Sequence, residues 1–381
     1  MKKILIFSLA YEPLIGGAEI AVKELVERLA QNTFSAEGGP AFSWDMVTLR
    51  FSHLHPTEEK IGAVVVHRVG GGKFLFPFRA ALKAAALHRK NHYNAVWAIM
   101  ANRAGFAALF FKLFHPRILF ILTLQEGDPI PNIMRKVGIL YPFFRMIFTH
   151  ARTVTAISTY LAEWAKKMGA KRVEIIPNGV DVKNFQFSIF NFQKEKFRKK
   201  LGYEERDKII ITTSRLVEKN GVGDLIAAMR YLPAHFKLLI IGSGPLLKNY
   251  QLLTTNYQLD DRVQFVGEVP HSEIPQYLWS SDIFCRPSLS EGMGNSFIEA
   301  MAAGLPVIAT PVGGIPDFLK EKETGLFCRV NDPKSIADAV LLLDEQPALR
   351  EAIIAGARRM VAARYDWALI AEKMRKVFSV V

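Results

Sequence analysis

The residue types best able to do chemistry gather between positions 291 and 299. The run Glu291-Gly-Met-Gly-Asn-Ser-Phe-Ile-Glu299 sets two carboxylates around a glycine pair and two capping residues. Gly292 and Gly294, on either side of Met293, let backbone N–H groups come close to a ligand. Asn295 and Ser296 are good caps for a helix over Phe297 to Ala303, and Gly304 ends it ahead of Pro306. A helix N-terminus favours an anion such as a phosphate. Glu299 falls in the first turns, where its two oxygens can accept hydrogen bonds from a vicinal diol such as a ribose. Glu291, ahead of the glycines, is placed to bind sugar hydroxyls. The plain alternative is that Glu299 only complements the helix dipole and Glu291 is a solvated loop acid.

Three further loops carry related chemistry. In Ser214-Arg-Leu-Val-Glu-Lys-Asn-Gly221, Arg215 offers a planar fork for phosphate oxygens and Lys219 a movable point charge. Two cations at this spacing suit a leaving diphosphate, whose charge grows as its bond breaks. Ile240-Ile-Gly-Ser-Gly-Pro245 ends a strand with Gly242, Ser243 and Gly244, again allowing close backbone approach. Tyr11-Glu-Pro-Leu-Ile-Gly-Gly-Ala18 supplies Gly16 and Gly17 ahead of another helix. There is no Walker A lysine loop, no G-x-S-x-G elbow and no Asp-x-Asp triplet to hold a metal. His88 and His92 flank Arg89 and Lys90 without an acidic partner, which reads as a basic helix and not a metal site.

Parallel strands separated by helices must position these loops. Apolar runs at Lys3–Ser8, Met46–Leu49, Val64–Val69, Ala95–Met100, Ile118–Leu124, Val154–Ile157 and Val173–Ile176 alternate with helical stretches. A second start at Lys208 repeats the pattern through KIIITTS, KLLIIGSGP, VQFVG, DIFCRPS and PVIATPVGG. The 381 residues therefore divide into two Rossmann-like doubly wound α/β domains, residues 1–185 and 186–364, facing across a cleft. Residues 365–381 form an amphipathic helix with no strand after it. Residues from about Asp181 to Arg206 read as a linker with a charged helix. In open parallel sheets ligands bind beyond the carboxyl ends of the strands, where these loops lie.

Composition excludes several classes. Half the residues are apolar and 22% are charged, so the chain is neither disordered nor fibrous. Only Cys285 and Cys328 occur, both in apolar runs; a disulfide framework is excluded, and a cytoplasmic chain is expected. The opening MKKILIFSLAYEP reads as a first strand and not as a signal peptide. No run of 18 uninterrupted apolar residues predicts a membrane span.

These loops, in this order, resemble those of the retaining glycosyltransferases of family 4, which have the GT-B fold. The resemblance runs from Lys3 to about Asp338. It rests on the first glycine loop, the Asn178-Gly-Val-Asp181 turn, SRLVEKNG, GSGP, and the E-x7-E element with its EAMAAGLPVIATPVGG continuation. It implies a nucleotide-diphospho-sugar bound mainly by the second domain and a sugar, polysaccharide or lipid-linked acceptor bound mainly by the first. Glu299 then binds the donor ribose and Glu291 the transferred sugar, while Arg215 and Lys219 hold the diphosphate without a metal or other cofactor. The donor-binding set is Glu299, Gly292, Met293, Gly294, Asn295, Ser296, Gly242, Ser243 and Gly244. The first domain contributes Gly16, Gly17, Gln125 and Glu126, and the final helix crosses back onto that domain. Retention of configuration implies front-face attack, with the leaving diphosphate taking the acceptor's proton. An epimerase or phosphorylase on the same fold is the alternative reaction. Three positions depart from the family pattern. Met293 stands where Phe is usual, the usual lysine position falls at Asn220 with Lys219 one residue early, and Gln125 stands where a His is common.

The net charge of +13 is lopsided. Between Lys60 and Gln125 there are ten Lys and Arg and no acidic residue, interleaved with aromatics. FLFPF at 74–78 is expected to be a loop that presents its aromatics, and Met134–Arg145 repeats the mixture. The pattern predicts docking on an anionic membrane surface, peripherally on its inner face, and not nucleic-acid binding, for which no motif is present.

Overall fold

The computed structural model describes residues 1–14, 16–31, 42–187 and 192–380. They form two compact units, the first Met1–Asn178 with Trp367–Val381 and the second Gly179–Asp366. Ile15 of the first glycine loop and residues 188–191 of the expected linker lie outside the described residues.

The first unit contains strands β1 (Lys2–Phe7), β2 (Phe42–Leu49), β3 (Glu58–Ile61), β4 (Val64–Val69), β5 (Ala95–Ile99), β6 (Leu119–Leu124), β7 (Thr153–Ala156) and β8 (Val173–Ile175). Its helices are α1 (Gly17–Gln31), α2 (Gly72–Asn91), α3 (Arg103–Phe114), α4 (Ile130–Val137), α5 (Tyr141–His150) and α6 (Thr159–Lys167). The strands form one sheet in the order β3-β4-β2-β1-β5-β6-β7-β8. All neighbours are parallel except β3 with β4. Helices on both faces demand strands apolar on both faces, and the Ile4-Leu5-Ile6-Phe7 run of β1 is fully buried.

The second unit contains β9 (Lys208–Thr213), β10 (Phe236–Ile241), β11 (Val263–Gly267), β12 (Ile283–Arg286), β13 (Val307–Ala309) and β14 (Leu326–Phe327). Its helices are α7 (Val182–Phe187), α8 (Lys194–Lys200), α9 (Val222–Ala228), α10 (Leu247–Asn256), α11 (Ile274–Ser280), α12 (Asn295–Ala303), α13 (Pro333–Glu345) and α14 (Pro347–Arg364). Its sheet is wholly parallel, in the order β11-β10-β9-β12-β13-β14. The direction of strand addition reverses between β9 and β12, which makes the edge beyond these two strands the topological switch point. Cys285 and Cys328 are buried in this unit's core, as their apolar runs imply.

The chain returns to the first unit as α15 (Trp367–Ser379). Trp367, Ile370, Met374 and Phe378 enter the same core as Ile4, Trp44 and Trp97. The boundary between units falls after Asn178 and not near residue 185, because the following segment packs into the second unit. Phe185 O accepts a hydrogen bond from Trp279 Nε1 at 3.2 Å, and Val180 N–H donates to Tyr365 O at 2.8 Å.

A second expectation also fails. Residues 74–78 are not a loop but the opening turns of α2, with Pro77 inside the helix. As the sixth residue of α2, Pro77 gives up one backbone hydrogen bond, and burial of Phe76 and Pro77 outweighs that loss. Phe76 is therefore core, while Phe74 and Phe78 on the same turns are 82% and 53% exposed.

Candidate functional site

The second unit's SRLVEKNG, GSGP and E-x7-E loops leave the carboxyl edge of its sheet, and hydrogen bonds join them. After β9, the Lys219 carbonyl accepts from Leu289 N–H at 2.7 Å and from Ser290 N–H at 3.3 Å, in the loop that follows β12. Leu216 N–H donates to Ser243 O at 2.8 Å, in the loop after β10. Gly314 N–H donates to Glu291 O at 3.2 Å, which ties in the loop after β13. The structure thus brings SRLVEKNG, GSGP and the E-x7-E element together around the switch point.

Glycine is required here by the protein itself. A Cβ on Gly242, whose φ is +126°, would stand 2.1 Å from Ser214 O, and one on Gly244 would stand 2.4 Å from Leu216 O. The sequence pattern suggests close approach to a ligand, but the demonstrated close approach is of loop to loop. Ser243 Oγ donates to Glu268 Oε1 at 2.6 Å.

Arg215 is exposed and Lys219 half-buried, both on the turn beyond β9. Asn220, at the position where the family pattern expects lysine, is buried and donates through Nδ2 to Arg215 O at 2.6 Å. It braces the backbone that carries Arg215. Lys219 lies on the same turn as Arg215, one residue before Asn220.

Glu291 and Glu299 are nearly enclosed, with side chains 15% and 12% exposed. Glu299 lies one turn into α12, where Oε1 meets His271 Nε2 at 2.9 Å. A carboxylate only accepts, so Nε2 carries the hydrogen of that bond. Glu291 Oε1 accepts from Gly292 N–H at 3.0 Å, and Oε2 accepts from Arg286 Nη2 at 2.5 Å. Glu291 is therefore no solvated loop acid.

Asn295 and Ser296 do not cap α12. The cap is Gly294, in the left-handed region with φ +86°, and Asn295 is the first helical residue. Ser296 Oγ instead accepts from Arg286 Nη1 at 2.7 Å. Met293 is 1% exposed, so its side chain fills the interior and only its backbone can face a ligand.

The first unit supplies a second group of loops at its own switch point, beyond β1 and β5. Gly16, just ahead of α1, and Gly17, its first residue, are exposed. Glu19 sits in the first turn of α1, where burial raises its pKa and hydrogen bonds to the backbone of Glu19 and Gly16 offset only part of that rise. A Cβ on Gly16 would stand 2.7 Å from Glu19 Oε2. Gln125 Oε1 accepts from Asn178 Nδ2 at 3.2 Å, which leaves its amide N–H groups to donate. Glu126 is buried, and its Oε1 accepts from Ala101 N–H at 2.5 Å in the loop beyond β5. Its Oε2 is buried without a partner. Burial, with a smaller push from Asp128, raises its pKa to about 7. Its placement is that of a clamp between two loops and not of a surface contact.

Arg286 and Glu19 are the residues that sequence reasoning missed. A lone arginine closing the apolar strand DIFCR was the available signal for the first. An acid in the first turn behind two glycines was the signal for the second.

Two Rossmann-like parallel-sheet units define a GT-B protein, and solved structures of that class superpose on the whole chain. A sucrose-phosphate synthase from Thermosynechococcus elongatus matches with a TM-score of 0.84 at 23% identity, covering 100% of both chains. Anabaena HepE, solved in complex with UDP and glucose, matches with a TM-score of 0.82 at 19% identity, also over 100% of both. The family described as Glycosyltransferase Family 4 matches residues 15–184, and that described as Glycosyl transferases group 1 matches residues 193–360. The chain belongs to glycosyltransferase family 4.

Among curated relatives, a GDP-mannose-dependent monoacylated alpha-(1-6)-phosphatidylinositol monomannoside mannosyltransferase of Corynebacterium glutamicum is 32% identical over 61% of this chain and 63% of its own length. The N-acetyl-alpha-D-glucosaminyl L-malate synthase of Bacillus anthracis is 26% identical over 88% of this chain and 86% of its own. The chain spans 63%, 54% and 61% of the length of three of the curated relatives it matches.

Proposed function

We propose that the chain is a retaining glycosyltransferase that moves a hexose from a nucleotide-diphospho-sugar to an acceptor. The observation that carries the reading is the pairing, at the second unit's switch point, of two nearly enclosed carboxylates with a cationic turn. Glu299 accepts hydrogen bonds from the donor ribose, and Glu291 from hydroxyls of the transferred sugar. Arg215 and Lys219 meet the diphosphate, whose charge rises as its bond to the sugar breaks. The acceptor oxygen forms the new bond on the face the diphosphate leaves, and a diphosphate oxygen takes the acceptor's proton. Catalysis then rests on positioning and on stabilising the leaving charge, with no metal required. The GDP-mannose-dependent relative that acts on a phosphatidylinositol monomannoside, and the UDP complex on the same fold, support a nucleotide-sugar donor and a lipid-linked acceptor.

Screening UDP-, GDP- and ADP-sugars for thermal stabilisation identifies the donor, because a ligand at 100 times its Kd adds about 2.7 kcal/mol. Release of the nucleoside diphosphate on adding acceptor then tests transfer. Arg215→Ala is expected to lower kcat more than it raises donor KM, since it removes an interaction that strengthens in the transition state. Activity is expected to survive excess EDTA, and a strict metal requirement overturns the metal-free reading.

A further inference from the structure

A buried charge is costly unless it is paired and hydrogen-bonded, so its partners show what holds it there. Arg286 ends β12 at 6% exposure, after the fully apolar Ile-Phe-Cys. One guanidinium reaches three elements. Nη2 donates to Glu291 Oε2 at 2.5 Å and Nε to Ser288 Oγ at 3.2 Å, both in the loop beyond β12. Nη1 donates to Ser296 Oγ at 2.7 Å in the first turn of α12, and reaches Thr213 O on β9 at 3.5 Å. The planar group also lies over the Phe297 ring, 4.2 Å from its centroid. Gly294 makes room for it, because a Cβ there would stand 2.5 Å from Nη2. The glycine ahead of the helix is thus matched to the arginine.

We infer that Arg286 is a positioning residue that fixes the orientation of the Glu291 carboxylate and registers it against α12, which carries Glu299. A carboxylate has about four lone-pair sites. Two on Glu291 are taken, by Arg286 and by Gly292 N–H, and the rest are held in one direction toward the donor's sugar. A lysine keeps the charge but cannot bridge loop, helix and strand from one rigid fork.

The inference rests on the donor-site reading above, and the test separates the two. Wild type, Arg286→Lys, Arg286→Gln, Glu291→Gln and the Arg286→Gln/Glu291→Gln double variant are compared. The probes are the nucleotide-sugar found in the UDP-, GDP- and ADP-sugar screen and its nucleoside diphosphate. Both Arg286 variants should keep the nucleoside diphosphate affinity within about 2-fold, since Glu299 remains on its helix. Their kcat should fall by about 100-fold, the scale of a 1 Å misplacement. The preference for the intact donor over the nucleoside diphosphate should vanish. The double variant should be no slower than Glu291→Gln alone, because the arginine acts through that carboxylate. A general loosening of the helix would instead weaken both ligands together, and that result, or wild-type kinetics in the Arg286 variants, overturns the inference while leaving the donor site standing. If Arg286→Gln does not fold, Arg286→Lys carries the same comparison. Absence of stabilisation of wild type by any of the three nucleotide-sugars overturns the donor-site reading, and the inference falls with it.

Discussion

Glu126 shows how burial sets the chemistry of one residue. One of its oxygens holds Ala101 N–H and the other has no partner, so ionising it in the fold is costly. Its pKa rises from the ordinary 4.5 to about 7. A group whose folded pKa is raised binds more protons folded than unfolded across that window. Its contribution to stability is full below about 4.5, falls as pH rises, and is gone above about 7. Glu126→Gln keeps the acceptor oxygen and removes the titration. In urea unfolding followed at pH 5 and pH 8, the variant should gain on wild type by about 2–3 kcal/mol at the higher pH, since each tenfold change in proton affinity is worth about 1.4 kcal/mol. A gap that does not change with pH contradicts the burial argument. Glu299 is tested through binding instead. Glu299→Ala should weaken binding of the free nucleoside diphosphate by about 1.5–3 kcal/mol, the worth of hydrogen bonds to a charged group. Unchanged affinity in a folded variant removes the ribose role.

At the scale of elements, α15 belongs energetically to a unit from which the sequence separates it by the whole second unit. Phe378 meets Trp44 and Trp97 edge-on, with centroids 5.2 Å away in each pair, and Phe42 lies at 5.9 Å. Phe378→Ala should cost about 3–5 kcal/mol, the usual range for emptying a buried aromatic site. The loss should appear in the unfolding transition of the first unit and leave that of the second in place; equal loss in both would contradict the assignment of α15. The helix itself was legible, because Trp367, Ile370, Met374 and Phe378 recur at helical spacing. The central strands were legible for the same kind of reason, since parallel strands buried on both faces read as unbroken apolar runs. Strand β3, Glu-Glu-Lys-Ile, was not, because it sits at the sheet edge and owes its conformation to antiparallel pairing with β4. The opening of α2 was misread because Pro77 is a strong local signal that tertiary burial overrode. The E-x7-E loop was found from its glycines and acids. Arg286 was not, because a lone arginine at a strand end does not show which side chains it meets once the loop folds back: Ser288, Glu291 and Ser296 nearby in sequence, and Thr213 73 positions away.

At the scale of the molecule, the net charge of +13 is coupled to apolar exposure in one unit. Phe74 and Leu82 on α2, Phe114 on α3, and Ile139 beside α5 are 82%, 72%, 83% and 95% exposed. Aromatic contacts join these helices, with Phe78 stacked on Phe110 at 5.0 Å and Phe106 in tilted contact with Phe110 and Phe144 at 6.2 Å each. Lys73 and Arg79 on α2, Arg103 on α3, Arg117 after it, Arg135 and Lys136 on α4, and Arg145 on α5 are exposed. Among the described residues no helix is long and apolar enough to cross a membrane. We propose that this face docks peripherally on an anionic bilayer, where each cation contributes about 1 kcal/mol and inserted aromatics add to it. Burial of Phe76 makes it unsuitable as a probe, so the variant is Phe74→Ser with Ile139→Ser. Co-sedimentation with phosphatidylglycerol vesicles should show binding at low salt that weakens at about 0.5 M NaCl, where screening shortens to a few ångströms. The double variant should bind less, and neutral phosphatidylcholine vesicles should bind little. Failure of the wild-type chain to sediment with anionic vesicles at low salt overturns the docking surface and makes a water-soluble acceptor the better candidate.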